Sequence, residues 1–304
     1  MKVISIHSHK GGAGKTTLCL ILAKAHAMSG ARVCAVDLDF VGAGFDHILN
    51  IPSPRKFLDD YVLKDSGDSD APKISDMLTH YTDKQMNNTG FDLIYNLGGS
   101  MTMEKQSDLS KYMAASEPLQ GKGIIGERIQ DLLEELSAQY DLALLDCHPG
   151  LAYLSRTVLG MARDGKYKEH FTLFVTTPNR AHFFGTIKDL KYLSSKEGGN
   201  LFQPDKSVFC LNFAPPGKAA TWNDLMDWIK KDKFQKEQND TIIRSFQEVY
   251  KDYGSINYLW LKEQRSLFKS QLIASPCDIL LPHRLSIKYT GQLESKTILS
   301  GLGE

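Results

Sequence analysis

The stretch that decides the reading is His9-Lys10-Gly11-Gly12-Ala13-Gly14-Lys15-Thr16-Thr17, set between Lys2-Val3-Ile4-Ser5-Ile6-His7 and Leu18-Cys19-Leu20-Ile21-Leu22. The run before it is short and apolar, as in a strand covered by helices on both faces. After it, Leu18, Ile21, Leu22, Ala25 and Met28 recur at helical spacing, which predicts a helix over about 15–29 with Gly30 at its C-terminal end. The strict phosphate-loop pattern, G-x-x-x-x-G-K-[ST], has glycine where this chain has His9. The remainder meets the chemical demand. Gly11, Gly12 and Gly14 let backbone N–H groups approach phosphate oxygens with no Cβ in the way, and the helix N-terminus adds partial positive charge. Lys15 supplies counter-charge to β- and γ-phosphates, and the Thr16 hydroxyl can hold Mg²⁺. Ala13 and Thr17 complete the set of nucleotide-binding positions.

Working outward, strands are predicted at about 2–7, 32–37, 91–95, 141–146, 171–177, 207–213 and 278–281, with helical stretches between them. That alternation predicts an α/β fold: a doubly wound, mostly parallel sheet of about seven strands with helices on both faces. Residues 121–139 read as an amphipathic helix, and 64–72 as an exposed loop. We expect a single domain over 1–304 carrying a helical insertion at 221–272. That insertion holds Trp222, Trp228 and Trp260, reads without a strand, and has nine Lys/Arg against eight Asp/Glu.

Composition narrows the function. The chain has 36 Lys+Arg and 36 Asp+Glu, so nothing in its bulk charge draws it to DNA or membrane. The lysine run Lys230, Lys231, Lys233 and Lys236 is interleaved with Asp227, Asp232 and Glu237, the pattern of a solvated helix face. Five widely spaced cysteines without a CxxC pair exclude a disulfide framework and the common zinc spacings. No transmembrane run and no signal-peptide pattern is present, so a cytoplasmic protein is expected. His7, His9, Cys147 and His148 lie near predicted strand ends, but the residues themselves do not argue for a metal cluster.

At Lys10-Gly11-Gly12-Ala13-Gly14-Lys15-Thr16-Thr17 the chain resembles the MinD/ParA family of P-loop ATPases, whose deviant Walker A motif is KGGxGK[ST]. The resemblance implies that Lys10 is the signature lysine, reaching the partner's phosphates across an ATP-dependent sandwich dimer. Val36-Asp37-Leu38-Asp39 is similar to the family's D-x-D at switch I. It implies that Asp39 positions or activates the attacking water while Asp37 lies beside Mg²⁺. Asp146-Cys147-His148-Pro149-Gly150 is similar to D-x-x-P-G of switch II, implying that Asp146 holds a Mg²⁺-bound water and the Gly150 amide senses the γ-phosphate. Asn212 matches the asparagine that reads adenine. The function implied is an ATPase switch that recruits or positions a protein partner, with ATP and Mg²⁺ as cofactors.

Departures shape the expectation. Asp39-Phe40-Val41-Gly42-Ala43-Gly44 replaces the D-x-D-P-Q-G run of plasmid-partition members, which places the chain nearer the MinD and Mrp-like branches. The C-terminal residues 295–304 lack the basic face of a membrane-binding helix. The alternative from another class is a dethiobiotin-synthetase-like metabolic enzyme on the same fold. Lys10 favours the switch, because a lysine acting in trans has meaning only in a dimer.

Overall fold

A computed structural model describes residues 1–42, 44–49, 51–64, 71–82, 90–97, 107–109, 125–167, 169–177, 180–203, 206–214 and 258–262. Its strands are β1 (Lys2–His7), β2 (Val33–Leu38), β3 (Thr79–Tyr81), β4 (Phe91–Ile94), β5 (Leu142–Cys147), β6 (His170–Thr176), β7 (Ser207–Ala214) and β8 (Tyr258–Lys262). Its helices are α1 (Lys15–Met28), α2 (Leu58–Val62), α3 (Ile74–Met77), α4 (Ile125–Ser137), α5 (Tyr153–Arg163) and α6 (Arg180–Leu193), with a 3₁₀ turn at Phe45–His47. The strands form one sheet in the order β3-β4-β2-β5-β1-β6-β7-β8. Every pairing is parallel except β3 with β4.

The two-residue period of a strand sorts the core into two layers. Val3, Cys34, Val36, Leu38, Ala143 and Leu145 face one layer with α2, α4 and α5. Ile4, Ile6, Val33, Ala35, Leu142 and Leu144 face the other with α1. Six predicted strands therefore form, because each is an apolar run with a helix to cover each face. α1 ends as expected: Ser29 and Gly30 donate to carbonyls of its last turn, and Gly30 sits at φ 89°. α6 packs on β6, with Phe183 edge-on against Phe209 of β7.

Two strands correct the sequence reading. β3 pairs antiparallel to β4 at the sheet edge, with Thr79 opposite Leu93 and Tyr81 opposite Phe91. β8 lies inside the segment expected to be a helical insertion without a strand. Tyr258-Leu259-Trp260 pairs in parallel with Phe209-Cys210-Leu211, so β7 is an interior strand. Aromatic residues alternating with leucine have the composition of a strand, and that preference outweighs the charged sequence around them. The rest of 221–272 and the strand expected at 278–281 lie outside the described residues. Among the described residues, no helix is long and apolar enough to cross a membrane.

Candidate functional site

Strand periodicity assembles the site before any chemistry is invoked. Asp37 continues the Val33–Ala35 row of β2, and Asp146 continues the Leu142–Leu144 row of β5. Both carboxylates therefore emerge on the α1 face at the C-terminal ends of adjacent strands, where they are direct register partners. α1 begins there, with Lys15 and Thr16 in its first turn. The loop that delivers it turns through Gly12 at φ 81° and Gly14 at φ 87°, left-handed conformations that glycine adopts without strain. A Cβ at Gly11 or Gly12 would meet no atom within 4 Å, so the mouth of the loop is open where a phosphate must enter.

The electrostatics follow from that packing. Asp37 and Asp146 are buried side by side, with Asp37 Oδ2 and both oxygens of Asp146 lacking a hydrogen-bond partner. Burial first, then the Asp146 charge, pushes the Asp37 carboxyl well above its ordinary value. Burial pushes Asp146 up to about 6, against the pull of the Lys15 charge. Buried carboxylate oxygens without donors are what a hard cation and its water shell would satisfy. Thr16, Asp37 and Asp146 thus fit Mg²⁺, and the open loop beside Lys15 fits a polyphosphate.

Asp39 lies just past β2. Its Oδ2 is 3.9 Å from Lys15 Nζ, its Oδ1 is 2.8 Å from His148 Nδ1, and the Gly42 amide donates to Oδ1 at 3.1 Å. Burial pushes this carboxyl up. The His148 hydrogen bond and the Lys15 charge outweigh it and hold Asp39 below the usual aspartate value. The Asp39 amide donates to Asp37 Oδ1 at 2.9 Å, which fixes the turn between them.

Of the expected residues, the structure brings Lys15, Thr16, Asp37, Asp39 and Asp146 together, and leaves Lys10 exposed at the rim. The Gly150 amide donates to Ser8 O at 2.8 Å, which ties the end of β5 to the start of the loop. Asn212 is buried and donates from Nδ2 to Ala13 O at 2.8 Å, which anchors β7 to the loop. His7, His9, Cys147 and His148 do not converge: among the described residues no group of three or more His, Cys, Asp or Glu could hold a metal ion.

Sequence reasoning missed several supports. Asn96, buried past β4, donates from Nδ2 to the carbonyls of Asp37 at 3.4 Å and Asp39 at 3.2 Å. Gly42 and Gly44 wrap the carboxylates closely: a Cβ on either would stand 2.7 Å from Asp39 Oδ2 or Asp37 Oδ2 respectively. The run that departs from the partition pattern is thus shaped to these two side chains. His9, at the position where the strict loop pattern has glycine, seats its ring against Gly185 of α6, and its Nδ1 lies 2.9 Å from Asp189 Oδ2. A glycine followed four residues later by an acid on α6 was the available signal.

Comparison with known proteins gives concordant findings. A family model described as AAA domain matches residues 1–164. A Sinorhizobium fredii protein bearing the name replication protein A is 32% identical over 168 residues, which are 53% of this chain and 38% of that protein. The septum site-determining protein MinD of Bacillus subtilis is 26% identical over 150 residues, 49% of this chain and 46% of its own length. The chain therefore spans less than half the length of these two relatives. The ATP complex of Cyanothece McdA superposes with a TM-score of 0.55 at 18% identity, covering 90% of this chain and 87% of that one. A ParA family ATPase from Chlorobium tepidum gives 0.54 at 18% identity, covering 90% and 88%. At such identities the likeness is one of fold.

Proposed function

The chain belongs to the AAA-domain family of MinD/ParA type, and from that premise we propose that it is an ATP-hydrolysing switch that pairs with a second copy of itself when ATP is bound. The observation that carries the reading is the meeting of Lys15, Asp37, Asp39 and Asp146 at an open phosphate loop with Lys10 exposed at its rim. Lys15 and the amides of Gly11, Gly12, Ala13 and Gly14 bind the phosphates, with Thr17 behind them. Thr16, Asp37 and Asp146 hold Mg²⁺, which supplies positive charge to the phosphate oxygens when bound. Asp39 orients the attacking water and accepts its proton through Oδ2. Gly150 reports the γ-phosphate by exchanging its bond to Ser8. Asn212 serves the adenine side, and its bond to Ala13 adds the duty of steadying the loop.

In this reading Lys10 completes the partner's site, so the dimer and the hydrolytic state are one species, and the paired surface captures a protein partner. Light scattering with and without Mg²⁺–ATP tests it. The wild-type chain is expected to double in mass with ATP. Lys15→Ala is expected to lose ATP binding, and Lys10→Ala to keep ATP binding yet remain monomeric. A wild-type chain that stays monomeric at saturating Mg²⁺–ATP would refute the switch and favour a metabolic enzyme.

A further inference from the structure

His148 occupies a variable position between Asp146 and Pro149-Gly150, where the family pattern asks nothing of its side chain. Its place in the structure is nonetheless tightly fixed. The His148 carbonyl accepts a hydrogen bond from Ser155 Oγ at 2.9 Å, and Ser155 is fully buried on α5. Two residues on, the Gly150 amide is tied to Ser8 O. Held from both sides, the ring places Nδ1 2.8 Å from Asp39 Oδ1. A carboxylate only accepts, so Nδ1 carries the hydrogen in this pair.

The consequence lies in which oxygen remains. Oδ1 already receives two donors, His148 Nδ1 and the Gly42 amide, so its directions are filled. Oδ2 turns to the phosphate loop, 3.9 Å from Lys15 Nζ. We infer that His148 is a positioning residue: by holding Asp39 Oδ1 it directs Oδ2 at the place where the attacking water stands, and so couples switch II to the hydrolytic carboxylate. The inference rests on the role proposed above for Asp39. His148 touches neither substrate nor metal in it.

The test uses the full chain and separates turnover from ATP affinity. His148→Ala is expected to lower kcat about tenfold to a hundredfold, the scale of a reacting group misplaced by an ångström, with ATP affinity unchanged. His148→Asn, whose amide nitrogen falls where Nδ1 stands, is expected to recover most of the loss; His148→Gln, which places its amide at the Nε2 position, is not. Combining His148→Ala with Asp39→Ala is expected to add nothing to the single Asp39 defect. Independently of turnover, the ¹⁵N resonance of His148 Nδ1 should move on Asp39→Ala. Unchanged kcat in His148→Ala beside an inactive Asp39→Ala overturns the inference and spares the proposed function. Equal defects in the Asn and Gln variants, or an unmoved Nδ1 resonance, also overturn it. Full turnover in Asp39→Ala instead removes the role on which the inference rests.

Discussion

Replacing Asp146 with asparagine should make the nucleotide-free protein more stable while removing the ligand proposed above for Mg²⁺. Asp146 and Asp37 are register partners on β5 and β2, both buried, and three of their four carboxylate oxygens have no hydrogen-bond donor. The folded Asp146 titrates at about 6 against an ordinary 3.8, a difference of about 3 kcal/mol between its two protonation states. The sign follows from linkage. A carboxyl whose folded value is raised binds more protons in the folded state, so its ionisation opposes folding as pH rises from about 4 to about 6, and fully above that. Asparagine keeps the shape and removes the charge. We expect Asp146→Asn to gain about 1–3 kcal/mol at pH 8, measured by urea unfolding in EDTA without nucleotide. At pH 4.5 the folded carboxyl is neutral while the unfolded one is still mostly ionised, so the gain should shrink to about a third of its value at pH 8. A variant no more stable than wild type at pH 8, or a gain of equal size at both pH values, would refute the reasoning.

Two further outcomes follow from the same geometry. Gly44 has ordinary backbone angles, φ −82° and ψ −167°, so Gly44→Ala should fold normally; its Cβ would nevertheless displace Asp37 Oδ2 from 2.7 Å. We expect the Mg²⁺-dependent part of ATP affinity to fall about tenfold, the scale for lost support of a metal ligand, as read by calorimetry with and without Mg²⁺. Burial lowers His7 and His170 to about 3 and His26 to about 4, so all three stay neutral when folded but charge when unfolded below about 6.5. Stability should therefore fall on acidification from pH 6.5 towards 4, by about 1.4 kcal/mol per pH unit for each, and a flat stability profile across that window would contradict their burial.

Legibility in the sequence followed the range of the interaction. β1, the loop and α1 could be read outright, because apolar run, glycine turn and helical period are local and adjacent. The six other-than-edge strands that were anticipated lie within one residue of their expected ends, since each is an apolar run bounded by polar turns. β3 could not be read: three residues carry no periodicity, and their pairing with β4 alone makes them a strand. β8 was concealed by charged neighbours, though Tyr258-Leu259-Trp260-Leu261 has a strand's composition. In the site, Lys15, Asp37, Asp39 and Asp146 were legible because a motif brackets each one. Their supports were not. His148 meets Asp39 across 109 residues, His9 meets Asp189 across 180, and Asn96 reaches back to both switch carbonyls from the end of another strand. Such partners become neighbours only when the sheet order is known.

That sheet order has a consequence for what the outermost strands can alter. β2, β5 and β1, which carry the carboxylates and the phosphate loop, are contiguous at the centre, with two strands outside β2 and three outside β1. Lys10, Lys15, Asp37, Asp39 and Asp146 all fall inside the stretch 1–164 matched by the family model. A strand gained, lost or reversed at either rim, as β3 is reversed here, leaves the spacing between β2 and β5 untouched. The register of the two carboxylates is therefore set by neighbouring central strands, and it does not depend on the direction or the number of the strands at either margin.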